Sequence, residues 1–255
     1  MGEKKTYPLI SIIIPTLNEV ENIEPLICRI NKSLQKIPYE IIIVDDNSPD
    51  GTGVKADELA KEYPITVIHR KSRLGLASGV LKGFEDSSGK ILCCMDADLS
   101  HPPETIPKLI DAIEKENIDL VIASRLVPGG GVVGSWPQHR KLTSYVATFI
   151  AKPLTSVNDT MSGYFALTSE VIQNVTFAPR GYKIGLEILV KGNYRKVKEV
   201  PFLFDNRKNG VSKLNVKIQI EYLIQIAGLF RYRFIRLIQN QIRLRLRALT
   251  WTNSK

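Results

Sequence analysis

Cysteine is scarce: Cys28, Cys93 and Cys94 are the only three, two of them adjacent and none in a C-x-x-C pair. That excludes a disulfide-stapled scaffold and a thiolate zinc site, and it favours a reducing compartment. Histidine is as sparse. His69, His101 and His139 are scattered without metal-ligand spacing, and His101, beside Pro102, reads as turn-forming. No G-x-x-x-x-G-K-[ST] phosphate loop occurs, and the GTG at 51–53 lacks the third glycine of a G-x-G-x-x-G fingerprint. The P-loop and dinucleotide-binding classes fall away with them. The N-terminus, MGEKKTYPLI, lacks the apolar core of a secretory signal. In the C-terminal tail the longest uncharged piece, Tyr222 to Phe230, has nine residues, well short of the ~20 that cross a bilayer.

What the chain does have begins with charge. Its net +9 is unevenly placed: residues 205–255 hold eleven Lys/Arg against two acids, whereas residues 1–204 hold 24 of each sign and sum to zero. A basic tail meets nucleic acid, an anionic membrane surface or only solvent. The neutral body and the lack of any RNA- or DNA-binding motif argue against nucleic acid. Residues 213–238 alternate apolar stretches with cations, the composition of an interfacial helix with its apolar side in the acyl boundary and its arginines on head groups. A core helix would look the same, and the two roles are compatible. The final IRLRLRALTWTNSK carries no readable period. These features divide the chain into a body, residues 1–212, and a basic amphipathic membrane-interface segment, residues 213–255.

Short β-branched runs recur in the body: LISIII (9–14), EIIIV (40–44), ITVIH (65–69), ILCCM (91–95) and DLVIA (119–123), with helix-like segments between them. This is the βαβ rhythm of an α/β fold with a parallel sheet, and nearly continuous apolar strands imply helices on both faces. In the first helix, Val20, Ile23, Leu26, Ile27, Ile30 and Leu34 keep helical spacing. Pro25 is tolerable there if Asn22 caps the helix and Pro25 falls in its first turn.

In such folds ligands bind beyond the carboxyl ends of the strands, and four of the five strand tips carry charge. The first ends in PTLNE, the second in VDDNSPDGTG with Asp45 and Asp46, the fourth in MDADLS, and the fifth in ASR with Arg125. Any one tip is explained by turn chemistry; four together are not. Asp96 and Asp98 stand one residue apart, so an extended chain puts both on one face, about 6–7 Å apart. That suits either a strand-ending turn or a hard divalent cation, Mg²⁺ or Mn²⁺.

The segments SIIIPTLNEVENI, IIIVDDNSPDGT, CCMDADLSHPPE and DLVIASR resemble the inverting, GT-A-type glycosyltransferases of family 2. RKLTSYVATFIAK, NDTMSGYFAL, GYKIGLEILVK and PFLFDNRKNGVSKL extend the resemblance, in order over residues 9 to about 235, toward that family's dolichyl-phosphate mannose synthases. The resemblance implies a Rossmann-like, mixed but mostly parallel sheet flanked by helices, with C-terminal amphipathic helices. It implies transfer of mannose from GDP-mannose to dolichyl or another polyprenyl phosphate, with inversion. Pro15, Leu17, Glu19, Val44 and Asp46 would hold the nucleotide, Asp46 accepting base N–H groups. Asp96, Ala97 and Asp98 would meet the donor diphosphate, with Asp96, Asp98 and Ser100 around Mg²⁺ or Mn²⁺. Some relatives carry Gln where this chain has Ser100, a shorter and weaker ligand. Arg125, Arg140 and Ser144 would clamp the acceptor phosphate, and Arg207 and Lys213 would close on the diphosphate. No side chain need act as base, because the acceptor phosphate is already a dianion and Asp159 is the only acid between Arg125 and Thr168. The glycine-rich RLVPGGGVVGSWP (125–137) reads as a mobile lid.

The implied setting is the cytoplasmic face of a membrane, with peripheral attachment and room for a small membrane-anchoring partner subunit. UDP-glucose in place of GDP-mannose is the close alternative. A sugar-nucleotide or nucleic-acid binding protein without catalysis is the alternative outside enzymes, and a processive polysaccharide synthase is disfavoured because no Q-x-x-R-W occurs.

Overall fold

Seven strands, β1 (Ile10–Thr16), β2 (Tyr39–Asp45), β3 (Ile65–His69), β4 (Ile91–Cys94), β5 (Leu120–Ser124), β7 (Phe165–Thr168) and β8 (Val197–Pro201), build one sheet in the order 3-2-1-4-7-5-8. Two short strands, β6 (Gly131–Val132) and β9 (Leu203–Phe204), pair separately in parallel. A computed structural model describes residues 10–35, 37–134, 138–178, 183–205 and 216–252. The five β-branched runs are all strands of the main sheet and run parallel to one another. β7 is antiparallel to both of its neighbours, β4 and β5.

The sheet is covered on both faces. Strand side chains alternate, so Ile12 and Ile14 of β1 join one cluster and Ile13 the other. The first cluster holds α1 (Val20–Ser33), α2 (Thr52–Leu59) and α4 (Ile106–Glu116); the second holds α3 (Leu76–Glu85) and α6 (Ile184–Lys191). Truncating one such residue, Ile13→Ala for example, would cost about 2–5 kcal/mol. Gly83 lets α3 lie directly on β1, since a Cβ there would overlap the Ile13 side chain.

Two sequence expectations are corrected. First, α1 starts at Val20, not after an Asn22 cap, and Pro25 lies inside the helix. The exposed N–H groups at its start are satisfied from the β2–α2 loop: Asn18 N donates to Ser48 Oγ, Glu19 N to Thr52 Oγ1 and Val20 N to Asp50 Oδ2. With capping supplied from a distance, the helix can begin one turn earlier, and the carbonyl that Pro25 leaves without a donor is that of Glu21, an exposed residue. Second, the glycine-rich segment after β5 is tied down. Gly131 N donates to the Phe202 carbonyl and Val133 N to that of Phe204, closing the β6–β9 ladder, so residues 128–133 are not a free lid. In the tail, α7 is continuous from Val216 to Thr252, through the stretch with no readable period, and the core-helix role that the sequence left open applies to its start. Its first turns belong to the body, because Tyr222, Ile226 and Leu229 share a third cluster with Ala147 and Ala151 of α5 (Gln138–Ala151) and Leu186 of α6.

Candidate active site

The antiparallel insertion of β7 organises the site. Because β7 begins at the edge where β4 and β5 end, the residues leading into it, Asp159 to Tyr164, fall between the tip bearing Asp96 and the tip bearing Arg125.

On the β4 side, Asp96 is partly exposed and Asp98 is buried. Leu99 takes a left-handed conformation, φ +63°, a strained choice for a branched residue that folds the chain back on itself. Ser100 then donates both its N–H (3.1 Å) and its hydroxyl (2.5 Å) to Asp98 Oδ1. Ser100 is fully buried and holds Asp98 in orientation. His101, expected only to help a turn, is a buried support: its Nδ1 accepts the Asp96 N–H at 3.0 Å, which leaves the proton on Nε2, 3.8 Å from Asp96 Oδ2. Burial pulls the His101 pKa below its ordinary value, against the opposing charges of Asp96 and Asp98. The ring stacks on Tyr164 at 4.9 Å and meets the edges of Phe202 and Phe204. Gly163 keeps space open beside Asp96, since a Cβ there would stand 3.6 Å from Oδ1.

On the β5 side, Arg125 and Asp159 form a closed pair. Arg125 Nε donates to Oδ2 at 2.8 Å, Nη2 to Oδ1 at 2.7 Å, and the Arg125 backbone N–H adds a third bond at 2.9 Å. The Asp159 side chain is fully buried and that of Arg125 is 11% exposed. Burial alone would raise the Asp159 pKa, but the hydrogen bonds and charge of Arg125 outweigh it and hold the carboxyl below its ordinary value. Glu199 fixes the loop by accepting the N–H groups of Asn158 and Asp159. Arg125 also lies over the Phe204 ring, 5.5 Å from its centroid, so the aromatic group around His101 touches both charged tips.

The expected nucleotide residues line one rim. Pro15 and Val44 are partners across β1 and β2, with Leu17 and Glu19 just beyond. Glu19 accepts the Asn22 side-chain amide at 2.7 Å. Asp46 is already engaged: it accepts the N–H groups of Leu74 and Gly75, each at 2.9 Å, and Arg70 Nη1 at 3.1 Å. A base N–H would have to share this carboxylate with the loop it positions. Asp45 accepts Thr16 Oγ1 and both the N–H and hydroxyl of Ser48, so the DDNSPDGT segment largely ties loops together. Ala97 is buried between the two β4-tip acids.

On α5, Ser144 is half-buried, one turn after Arg140, whose side chain lies outside the described residues. Arg207 and Lys213 also lie outside them; the segment that enters them starts at the β4 tip, where Asp205 N donates to the Ser100 carbonyl. Arg70 and His101 are the participants that sequence reasoning missed. His101, Tyr164, Phe202 and Phe204 all stand in segments that carry the family resemblance, which was the available signal.

A mostly parallel sheet with an Asp-x-Asp at its central tip is the architecture of a GT-A glycosyltransferase. The chain matches the family described as "Glycosyl transferase family 2" over residues 11–176, and it belongs to that family. It is 49% identical to a dolichol-phosphate mannosyltransferase of Pyrococcus furiosus over 88% of this chain, and it spans 64% of that protein's length. It is 39% identical to a dolichol-phosphate mannosyltransferase of Saccharomyces cerevisiae, over 88% of each. With a polyprenol monophosphomannose synthase of Mycolicibacterium smegmatis it shares 37% over 85% of this chain and 84% of that one. Solved structures of similar fold include a Mycobacterium tuberculosis glucosyl-3-phosphoglycerate synthase in complex with Mn²⁺, UDP and glucosyl-3-phosphoglycerate. Its TM-score is 0.63 at 21% identity, over 89% of this chain and 80% of that one. A Pyrobaculum calidifontis mannosyltransferase in complex with GDP-Man and Mn²⁺ matches with TM-score 0.61 at 18% identity, over 89% of this chain and 65% of that one.

Proposed function

We propose that this chain transfers mannose from GDP-mannose to dolichyl or another polyprenyl phosphate, with inversion at the anomeric carbon. The observation that carries this reading is the Arg125–Asp159 pair opposite Asp96 and Asp98. It supplies a fixed cation for an acceptor phosphate and holds the Asp159 carboxylate in its ionised, fully engaged form. The names of the relatives supply the sugar and the lipid class.

Transfer to an alcohol would need a base to remove a proton. A phosphate monoester, with a second pKa near 6, is already a dianion at neutral pH. One of its oxygens forms the bond to the anomeric carbon as the bond from that carbon to the nucleotide diphosphate breaks, and no proton moves. The work left to the protein is positioning and charge. Arg125, oriented by Asp159, would engage the acceptor phosphate with N–H groups that Asp159 does not use, helped by Arg140 and Ser144. Arg207 and Lys213 would do the same for the donor.

The donor set at β4 fits a hard cation: two carboxylates on one tip, one held in orientation by Ser100 and the other hung on His101. Among the described residues no group of three or more Asp, Glu, His or Cys is placed to hold a metal ion by itself, so diphosphate and water oxygens would complete the shell of Mg²⁺ or Mn²⁺. Bound there by Asp96 and Asp98, the ion would neutralise charge on the leaving diphosphate.

A polyprenyl acceptor confines the reaction to a membrane surface. Among the described residues no helix is long and apolar enough to cross a membrane. α5 exposes Leu142, Tyr145 and Phe149, and α7 exposes Leu223, Ile224 and Phe234, the kind of face that lies in an interface. Free Cys28, Cys93 and Cys94 support the cytoplasmic side, and a membrane-anchoring partner subunit would strengthen attachment. Incubation with radiolabelled GDP-mannose, Mg²⁺ or Mn²⁺ and polyprenyl phosphate tests the reading: label should become lipid-soluble, and unlabelled GDP should compete better than UDP. Lipid labelling only from UDP-glucose would overturn the donor; none from either would overturn the activity.

A further inference from the structure

An open cavity of about 590 Å³ lies where α7 leaves the body. It is bounded by the 3₁₀ turn Lys152–Leu154, the α6–β8 turn and α7 from Tyr232 to Leu237. Val197, at the start of β8, lines it. Arg125 stands beyond the other end of β5, the strand that pairs in parallel with β8, so the cavity is at the opposite edge of the sheet from the candidate active site. Its volume is that of an ordinary small-ligand site.

The sequence of α7 changes character there. Its inward stripe is Tyr222, Ile226 and Leu229, all buried, at spacings of four and three. Continuing the same stripe by four and three gives Arg233 and Arg236. A helix extending its core contact would carry apolar residues at both positions. Instead both arginines line the cavity, joined by Arg195 and Lys152. Among the described residues no carboxylate lines it, and Arg195, Arg233 and Arg236 make no ion pair there. Lys152 is partly satisfied by the Ser156 and Val157 carbonyls and Asn158 Oδ1, and Arg233 donates to the Leu154 carbonyl. All three arginines are exposed, so water screens part of their mutual repulsion, and an anion entering between them would relieve the rest. The floor is apolar, from Leu154 and Leu189, and at the rim Leu237 continues into the exposed Phe234 and Ile238. Cations above an apolar floor, beside an apolar helix face, match a phosphate that carries acyl chains.

We propose that this cavity binds the phosphate of an anionic lipid headgroup through Arg195, Arg233 and Arg236, separately from the site of sugar transfer. Calorimetric titration of the full chain, without donor or acceptor, tests it independently of the proposed activity. The probes are short-chain phosphatidylglycerol, short-chain phosphatidylcholine and inorganic phosphate. Phosphatidylglycerol should bind saturably. The variant Arg195→Ala/Arg233→Ala/Arg236→Ala should bind it at least about tenfold more weakly, a change equal to one charge-assisted contact. The charge-matched variant Lys61→Ala/Lys108→Ala/Arg231→Ala should stay within about twofold. Equal losses in the two variants, or equal binding of phosphatidylcholine, overturn the site. Inorganic phosphate binding as tightly as the lipid overturns the lipid assignment. If the triple variant fails to fold, Arg195→Ala alone, which leaves α7 intact, decides: unchanged affinity refutes the proposal.

Discussion

Replacing Asp159 with asparagine keeps the shape of the side chain and removes the charge that faces Arg125. With Asp159 fully buried and Arg125 11% exposed, water can do little to compensate, and breaking one half of such a pair costs about 3–5 kcal/mol. The amide oxygen of the variant side chain can still accept the Arg125 backbone N–H, which pulls the effect toward the lower end of that range. For a chain of this size each kcal/mol moves the melting temperature by about 2–4 °C, so Asp159→Asn should melt about 6–20 °C lower at neutral pH. Arg125→Met should lose a similar amount by stranding the carboxylate. The double variant, with neither charge, should recover part of the loss, a coupling of about 0.5–3 kcal/mol.

Acid titration adds an independent arm. The folded Asp159 carboxyl sits below its unfolded value near 4, so near that pH the unfolded chain binds the extra proton. The pair's contribution is therefore complete above the unfolded value and is lost as pH falls through the folded one. In Asp159→Asn the acid limb of stability against pH should flatten by up to about 1.4 kcal/mol per pH unit. Thermal unfolding of the four proteins across pH reads both effects. Additivity of the two single losses within about 0.5 kcal/mol, with an unchanged acid limb, would refute the pair as a stabilising lock.

Asp98→Ala should abolish turnover and EDTA should silence the wild type, since a diphosphate-bound cation is worth several kcal/mol to the transition state; full activity in EDTA removes the metal. Transferase activity should rise with pH through the acceptor's second ionisation near 6 and then level, with Arg140→Ala raising the acceptor KM and lowering kcat. A further essential ionisation would revive a general base. His101→Phe keeps the stack on Tyr164 but strands the Asp96 N–H, so it should cost about 1–3 kcal/mol in thermal unfolding; a neutral result would deny His101 its supporting role. Deleting residues 240–255 removes four cations and no acid, each worth about 1 kcal/mol near an anionic leaflet. Vesicle attachment should weaken while GDP binding holds, and alkaline carbonate should release the intact chain; retention after carbonate with no partner present refutes peripheral attachment.

The strands and the two charged tips were legible in the sequence for a local reason. A run such as SIIIPT needs both faces covered, and its end must turn at the rim, so Asp96, Asp98 and Arg125 announce themselves by where apolar runs stop. Everything hidden depends on a partner far along the chain. FALT (165–168) is too short to read as a strand by itself, and it becomes one only between β4 and β5. Asp50 and Thr52 cap a helix some thirty residues earlier in the chain, which no window over α1 can register, and so the sequence alone points to a start one turn too late. Asp159 shows the distinction most clearly. As letters it is a lone acid, available for proton transfer; in the fold both of its oxygens accept from Arg125 and its pKa falls. Whether an acid can serve as a base is decided by what occupies its lone pairs, and here the occupant is the same arginine that the acceptor phosphate would need.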